Sequence, residues 1–192
     1  MSSEAFAERE IVVGVTGGIA AYKAAALTSR LRQRGASVTV VMTDSATRFI
    51  QPFTFAVLTQ RPVITSLFDG AESYSTEHVA LADKADLAIV APATANLIGK
   101  IACGIADDAL TTVLMGLDCP VVIAPAMNHR MWGNPVVQAN VEKLRGLGYG
   151  IVEPEEGWLA CGERGVGRLA DLDTILAEAE AALRATGEEP VS

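Results

Sequence analysis

Ile11-Val12-Val13-Gly14-Val15-Thr16-Gly17-Gly18-Ile19-Ala20-Ala21-Tyr22-Lys23 is the stretch on which the fold turns. Its first five residues are apolar or glycine, a run of strand length rather than helix length. Thr16-Gly17-Gly18 breaks the run, and a helical pattern follows from Ile19 to Arg34 until Gly35 stops it. Ser37–Met42 reads as a second buried strand. Leu87–Ala91 and Val121–Ala124 repeat the theme, each followed by proline and a helix-forming stretch. Gly150–Val152 reads as a last short strand and Leu172–Leu183 as a closing amphipathic helix. Strands made only of apolar residues, alternating with helices, imply a parallel sheet covered on both faces. The expected class is therefore α/β, a doubly wound parallel sheet of the Rossmann-like or flavodoxin-like kind. It would form a single domain over residues 1–192, with 1–9 and 185–192 as flexible ends.

Composition narrows the function. The chain has 192 residues, 50% of them hydrophobic and 20% charged, which suits a real core and excludes a disordered chain. No apolar run is long enough to suggest a membrane span, and no basic segment followed by an apolar one marks a secretory signal. The expected setting is cytoplasmic, with no membrane partner. A net charge of −8 argues against nucleic acid as a partner, since there is no cationic surplus to displace counterions. Cys103, Cys119 and Cys161 form no CxxC pair, and no histidine stands at metal-ligand spacing from them. Neither a disulfide framework nor a metal site is expected.

A parallel sheet presents ligand chemistry at the carboxyl ends of its strands. The loops to inspect therefore follow Val15, Met42, Val90 and Ile123. In the first, Gly17 and Gly18 let backbone approach a phosphate at a helix N-terminus, with Ile19 and Ala20 opening that helix. The spacing is not GxGxxG and no acidic residue ends the second strand, so a dinucleotide is disfavoured. A tight turn would need the same glycines. Thr43 adds a hydroxyl at the same sheet edge. In the third loop, Thr94, Ala95 and Asn96 offer small residues beside a flat ring and groups for its polar edge, or simply a helix cap. The fourth, Pro125 to Trp132, carries Met127 and Asn128 at a strand end, and Asn128 can bind a carboxylate without bringing charge. Met131 and Trp132 read as core. Gly157, Gly162, Gly165 and Gly167 surround Cys161 and suggest a mobile flap.

These segments, in order over roughly residues 10–180, resemble the flavin-containing cysteine decarboxylases. Thr16–Lys23 looks like the family's phosphate turn, and His78-Val79-Ala80-Leu81 like its active-site histidine segment. Ala91–Asn96 looks like its flavin loop, and Gly104–Asp108, which includes Asp107, like the acidic segment that follows. Pro125–Trp132 is similar to its PxMNxxMW signature. Ala160-Cys161-Gly162, with Gly165-x-Gly167-Arg168, is similar to its substrate clamp. Leu169 stands where the clamp usually carries Met, and Ala109 where Leu commonly follows the paired acids.

The resemblance implies FMN as cofactor and a C-terminal cysteine moiety as substrate. Oxidation of the cysteine thiol to a thioaldehyde would make its carboxylate a good leaving group. His78, Asn128 and Cys161 would then be catalytic, as base, carboxylate holder and proton donor. Ala160, Gly162 and Arg168 would join Asn128 around the substrate. The implied partners are phosphopantothenoylcysteine, on the route to coenzyme A, or a peptide ending in cysteine that is left as an enethiol. A homo-oligomer is also implied, a trimer or a dodecamer built from trimers. A regulatory protein of the same fold without activity is a further alternative.

Overall fold

Five parallel strands form the central sheet. The computed structural model describes residues 5–67 and 77–187, with the side chains of 77–79 and 187 outside the description. In chain order the elements begin with β1 (Glu10–Val15), α1 (Ala21–Gln33), β2 (Ser37–Met42), α2 (Asp44–Thr47) and α3 (Pro52–Thr59). Next come α4 (Glu77–Lys84), β3 (Leu87–Ala93), α5 (Ala95–Ala102), α6 (Ala109–Gly116) and β4 (Val121–Pro125). The chain continues through α7 (His129–Trp132), α8 (Pro135–Gly146), β5 (Gly150–Ile151), β6 (Glu155–Trp158), β7 (Arg164–Arg168) and α9 (Leu172–Gly187). The sheet runs β2-β1-β3-β4-β5, and every pairing within it is parallel.

Alternation along the strands assigns side chains to two cores. Ile11, Val13 and Val15 of β1, with Leu87, Ile89 and Ala91 of β3, face Leu27 and Leu31 of α1 and Ile175 and Leu176 of α9. Val12, Ala88 and Val90 point the other way, onto Leu97 and Ile101 of α5, Leu110 and Val113 of α6, and Leu144 of α8. Both faces are thus dry over β1, β3 and β4, which is why these strands carry no polar alternation, whereas the edge strand β2 alternates Ser37 and Thr39 with buried Val38 and Val40. Gly14 marks a tight point between β1 and α6, because a Cβ there would lie 2.8 Å from Leu110 Cδ1. Gly35, at φ +87°, provides the left-handed turn that ends the first helical stretch.

Within the ends expected to be flexible, residues 5–9 and 185–187 fall among the described residues. Phe6 is fully buried beneath the Arg34 guanidinium, 5.7 Å from its ring centre, and the Glu8 N–H donates to Gly35 O at 3.1 Å. The closing helix continues past Arg184 to Gly187. The glycine-rich segment expected as a mobile flap is instead an antiparallel hairpin of β6 and β7, with Cys161 at its tip. It is fastened to the sheet end by the Met127 N–H, which donates to Gly167 O at 3.0 Å. No helix among the described residues is long and apolar enough to cross a membrane.

The sheet order fixes the site. From β1 the chain crosses to β2 on one flank and then returns to β3 on the other. The carboxyl ends of β1 and β3 therefore lead away in opposite directions, opening a crevice between their loops.

Candidate active site

The crevice is stitched together by one buried threonine. Thr16 Oγ1 donates to Pro92 O at 2.7 Å and accepts the Thr94 N–H at 3.0 Å, so the turns after β1 and β3 are held as a unit. Gly17 packs so closely on the neighbouring turn that a Cβ would fall 2.4 Å from Ser45 Cβ. Thr43 caps α2 by accepting the Ala46 N–H, and Thr94 caps α5 by accepting the Leu97 N–H. Each hydroxyl keeps its proton to donate outward. Thr16, Gly17, Thr43, Thr94, Ala95 and Asn96 line a cleft of about 510 Å³.

A charged group closes one end of this cleft. Lys100 Nζ lies 2.6 Å from Asp107 Oδ1 and 3.0 Å from Asp108 Oδ2, which raises the lysine pKa. Asp108 also forms a capping box at the start of α6 with Thr111. Burial alone would raise the Asp108 carboxyl, but the Thr111 N–H, Lys100 and the Thr111 hydroxyl together hold it below its ordinary 3.8. Asp108 lines the cleft, whereas Asp107, the carboxylate expected there, is absent from its lining and is occupied by Lys100.

A second cleft of about 530 Å³ opens between the start of α1, the end of β4 and the hairpin. Ile19, Ala20, Met127, Asn128, Ala160, Cys161 and Arg168 line it, together with Tyr22, Lys23 and Trp158. The expected cofactor residues are therefore divided, with Gly17, Thr43 and Thr94–Asn96 in the first cleft and Ile19, Ala20 and Met127 in the second. Gly18 sits at the divide, its open side 4.0 Å from Thr94 Cγ2. The N-terminus of α1 has no side-chain cap and no acidic residue in its first turn, so its dipole favours an anion, although the Ala21 and Lys23 N–H groups already donate to Gly18 O and Ala20 O at 2.9 Å.

The expected catalytic residues meet only in part. Asn128 Nδ2 lies 3.2 Å from Cys161 Sγ, bringing together residues 33 apart in sequence. Asn128 Oδ1 accepts the Arg130 N–H at 2.8 Å, so the amide is held from both ends. Arg168 is tied to Glu155, whose other oxygen accepts the Asp171 N–H at 2.8 Å. That N–H and Arg168 hold the Glu155 carboxyl below its usual range. Gly162, at φ +82°, shapes the hairpin tip and does not line the cleft. His78 belongs to α4, and its side chain lies outside the described residues.

Other lining residues carried weak sequence signals. Ser45, Lys100, Tyr22 and Trp158 were not singled out, because only the fold brings them to the walls of the two clefts. Met131, expected in the core, is 48% exposed and lines the first cleft, while Trp132 beside it is buried. A one-turn helix, α7, presents these adjacent residues in different directions.

The Flavoprotein family model matches residues 1–184. The chain belongs to the Flavoprotein family. It is 52% identical over 172 residues to the coenzyme A biosynthesis bifunctional protein CoaBC of Bacillus subtilis, covering 90% of this chain and 42% of that protein. It thus spans less than half the length of that relative. The probable phosphopantothenoylcysteine decarboxylase of Streptococcus mutans is 42% identical over 174 residues, covering 90% of this chain and 97% of that one. Among solved structures of similar shape, the FMN-dependent cysteine decarboxylase SpaF superposes with a TM-score of 0.81 at 34% identity, covering 95% of this chain and 99% of that one. A PPC decarboxylase mutant complexed with pantothenoylaminoethenethiol gives 0.81 at 28% identity, covering 95% and 100%. The two solved structures share the overall fold of this Flavoprotein chain.

Proposed function

We propose that this chain binds FMN and decarboxylates the cysteine moiety of phosphopantothenoylcysteine, yielding phosphopantetheine for coenzyme A synthesis. The observation that carries the reading is the Asn128–Cys161 contact, set in the wall of a cleft that begins at an uncapped helix N-terminus. Of the curated relatives, one is named for coenzyme A biosynthesis and the other as a probable phosphopantothenoylcysteine decarboxylase, and the family supports a flavin.

The residues present fit the cofactor. Gly18 leaves the space of a side chain open beside the start of α1, Gly17 lets the turn close onto Ser45, and Thr43 and Thr94 retain hydroxyl protons for the same anion or its ring. Ala95 and Asn96 would flank the ring, and Met127 would close it from the second cleft. Bound FMN would supply a two-electron acceptor for hydride from the cysteine Cβ and would later return it. His78 would take the thiol proton. Asn128 would hold the carboxylate without a formal charge, so that the anion is oriented but not strongly stabilised before CO₂ leaves. Cys161, hydrogen-bonded to Asn128, would return a proton to the decarboxylated enethiol. Ala160, Gly162 and Arg168 would support the clamp around it.

The proposal extends to assembly and setting. Phe49, Phe53 and Val57 are 52%, 76% and 60% exposed, and Phe53 and Val57 lie one turn apart on α3. Such a stripe supports a homo-oligomer, which the resemblance makes a trimer or a dodecamer built from trimers, and in it His78 would act across the subunit boundary. The free cysteines suit a reducing cytoplasm.

The test is to incubate the purified protein separately with phosphopantothenoylcysteine and with a peptide ending in cysteine. Mass spectrometry should find phosphopantothenoylcysteine lighter by CO₂ alone. Reaction of the peptide only, with loss of CO₂ and two hydrogens, would assign the chain to peptide modification instead. Neither product, from a protein that binds no FMN, would favour a regulatory role.

A further inference from the structure

The tip of the hairpin meets the start of α7, and this contact gathers three side chains of metal-binding type. One ligand atom each from His129, Cys161 and Glu163 lies within 4.8 Å of the others. Glu163 Oε2 is central to the group, 3.6 Å from His129 Nδ1 and 3.8 Å from Cys161 Sγ. In a tetrahedral zinc site with ordinary bond lengths these edges would be about 3.4 Å for N···O and about 3.6 Å for S···O. These two separations exceed those edges by a few tenths of an ångström, and the third, between His129 and Cys161, lies within 4.8 Å, so that side-chain rotation has to draw the thiol and the imidazole together to about 3.6 Å.

The surroundings also favour a cation. His129 Nδ1 is shielded from solvent and makes no hydrogen bond among the described residues. An imidazole nitrogen in that position leaves a lone pair or a proton without a partner, which is costly unless something binds it. The other carboxylate oxygen, Glu163 Oε1, is held by Arg130 NH2 at 3.2 Å, fixing the direction in which Oε2 points. Cys161 is exposed at the tip, so an ion can reach the thiol. Gly165 permits the approach, since a Cβ there would fall 2.8 Å from His129 Cβ.

We propose that His129, Cys161 and Glu163 form a binding site for a borderline-soft divalent cation, Zn²⁺ or Cd²⁺, with water as fourth ligand. Thiolate, imidazole and carboxylate together suit such ions over Mg²⁺ or Ca²⁺, which select oxygen. The sequence hides this set, because His129 and Cys161 are far apart and meet only when the hairpin docks. Binding clips the hairpin to α7. In the reaction proposed above, a metal-held Cys161 has no proton to give, so turnover would stop at the oxidised, decarboxylated product. That consequence rests on the proposed reaction, whereas binding itself does not.

The test is calorimetric titration of the purified protein with ZnCl₂, CdCl₂ and MgCl₂, with the ultraviolet thiolate-to-cadmium band followed in parallel. One equivalent of Zn²⁺ or Cd²⁺ is expected, the cadmium band appearing with it, and no response to Mg²⁺. Cys161→Ser should abolish the band. His129→Gln and Glu163→Gln should each weaken binding by roughly tenfold or more, at least the effect of losing an outer-shell partner. Cys103→Ser should leave it unchanged. Glu163 is exposed and Gln keeps its shape, so this variant reads the site without endangering the fold. Undetectable Zn²⁺ binding, or binding that is insensitive to Glu163→Gln and His129→Gln, would overturn the site whatever the activity proves to be.

Discussion

At the residue scale, Asn128 and Cys161 carry most of the chemical argument. Asn128 has its oxygen committed to the Arg130 N–H and its NH₂ directed at the sulfur, so its orientation is fixed before any substrate arrives. Cys161 occupies a hairpin tip rather than a core position, which separates it from Cys119, where burial pushes the thiol up to about 11. An exposed thiol beside a hydrogen-bond donor can exchange its proton, and a serine hydroxyl there is a far weaker acid. Cys161→Ser should therefore still lose CO₂ but release a product two hydrogens lighter than the wild-type one, as read by mass spectrometry. An unchanged product mass would remove Cys161 from the reaction. Both residues were legible in the sequence, through the PxMNxxMW-like segment and the clamp. Their contact was not, because it depends on a hairpin that pairs Trp158 with Arg164 and so turns the chain back over α7. Glu163 was missed for the same reason, since its partners come from another element.

At the element scale, the strands of the parallel sheet could be read almost to the residue, because burial on both faces makes the inner ones β1, β3 and β4 nearly continuous apolar runs. Ser37–Met42 matches its predicted limits, while β3 and β4 extend one or two residues further into their prolines. The hairpin was read as a flap because its glycines suggest mobility, yet two of them are required by close packing. A Cβ at Gly167 would lie 2.1 Å from Met127 O. Gly167→Ala should consequently cost about 2–3 kcal/mol, lowering the melting temperature by roughly 5–10 °C for a chain of this size. Differential scanning calorimetry checks this, and an unchanged transition would mean that the hairpin is not docked as described. The α6 cap carries a pH signature. Asp108 is held lower in the fold than in the unfolded chain, so its contribution is complete above the ordinary 3.8 and fades as pH falls through the folded value. Asp108→Ala should cost about 1 kcal/mol at neutral pH, and the gap from wild type should narrow as the pH drops below 3.8. Urea titrations across that range provide the measurement, and a gap that stays constant would contradict the cap's charge dependence.

At the scale of the whole molecule, two dry sheet faces account for stability and the switch point accounts for the site. That much followed from periodicity. The division of the cofactor residues between two clefts did not, because neighbours in sequence such as Gly17 and Ile19 emerge on opposite sides of one turn. The exposed Phe53 and Val57 on α3 bring a second molecule-wide expectation. Phe53→Glu should shift the mass measured by light scattering from an oligomer toward a single chain, and an unchanged mass would move the interface elsewhere. If His78 does act across that boundary, the same variant should lose decarboxylation while keeping its fold. The central claim is that electrons leave the substrate thiol for a flavin before CO₂ departs. Its most direct test is the visible absorbance of FMN-loaded Cys161→Ser mixed anaerobically with phosphopantothenoylcysteine. The oxidised flavin band should bleach and stay bleached, with one equivalent of decarboxylated product formed per chain. Decarboxylation that leaves the band untouched would contradict the account.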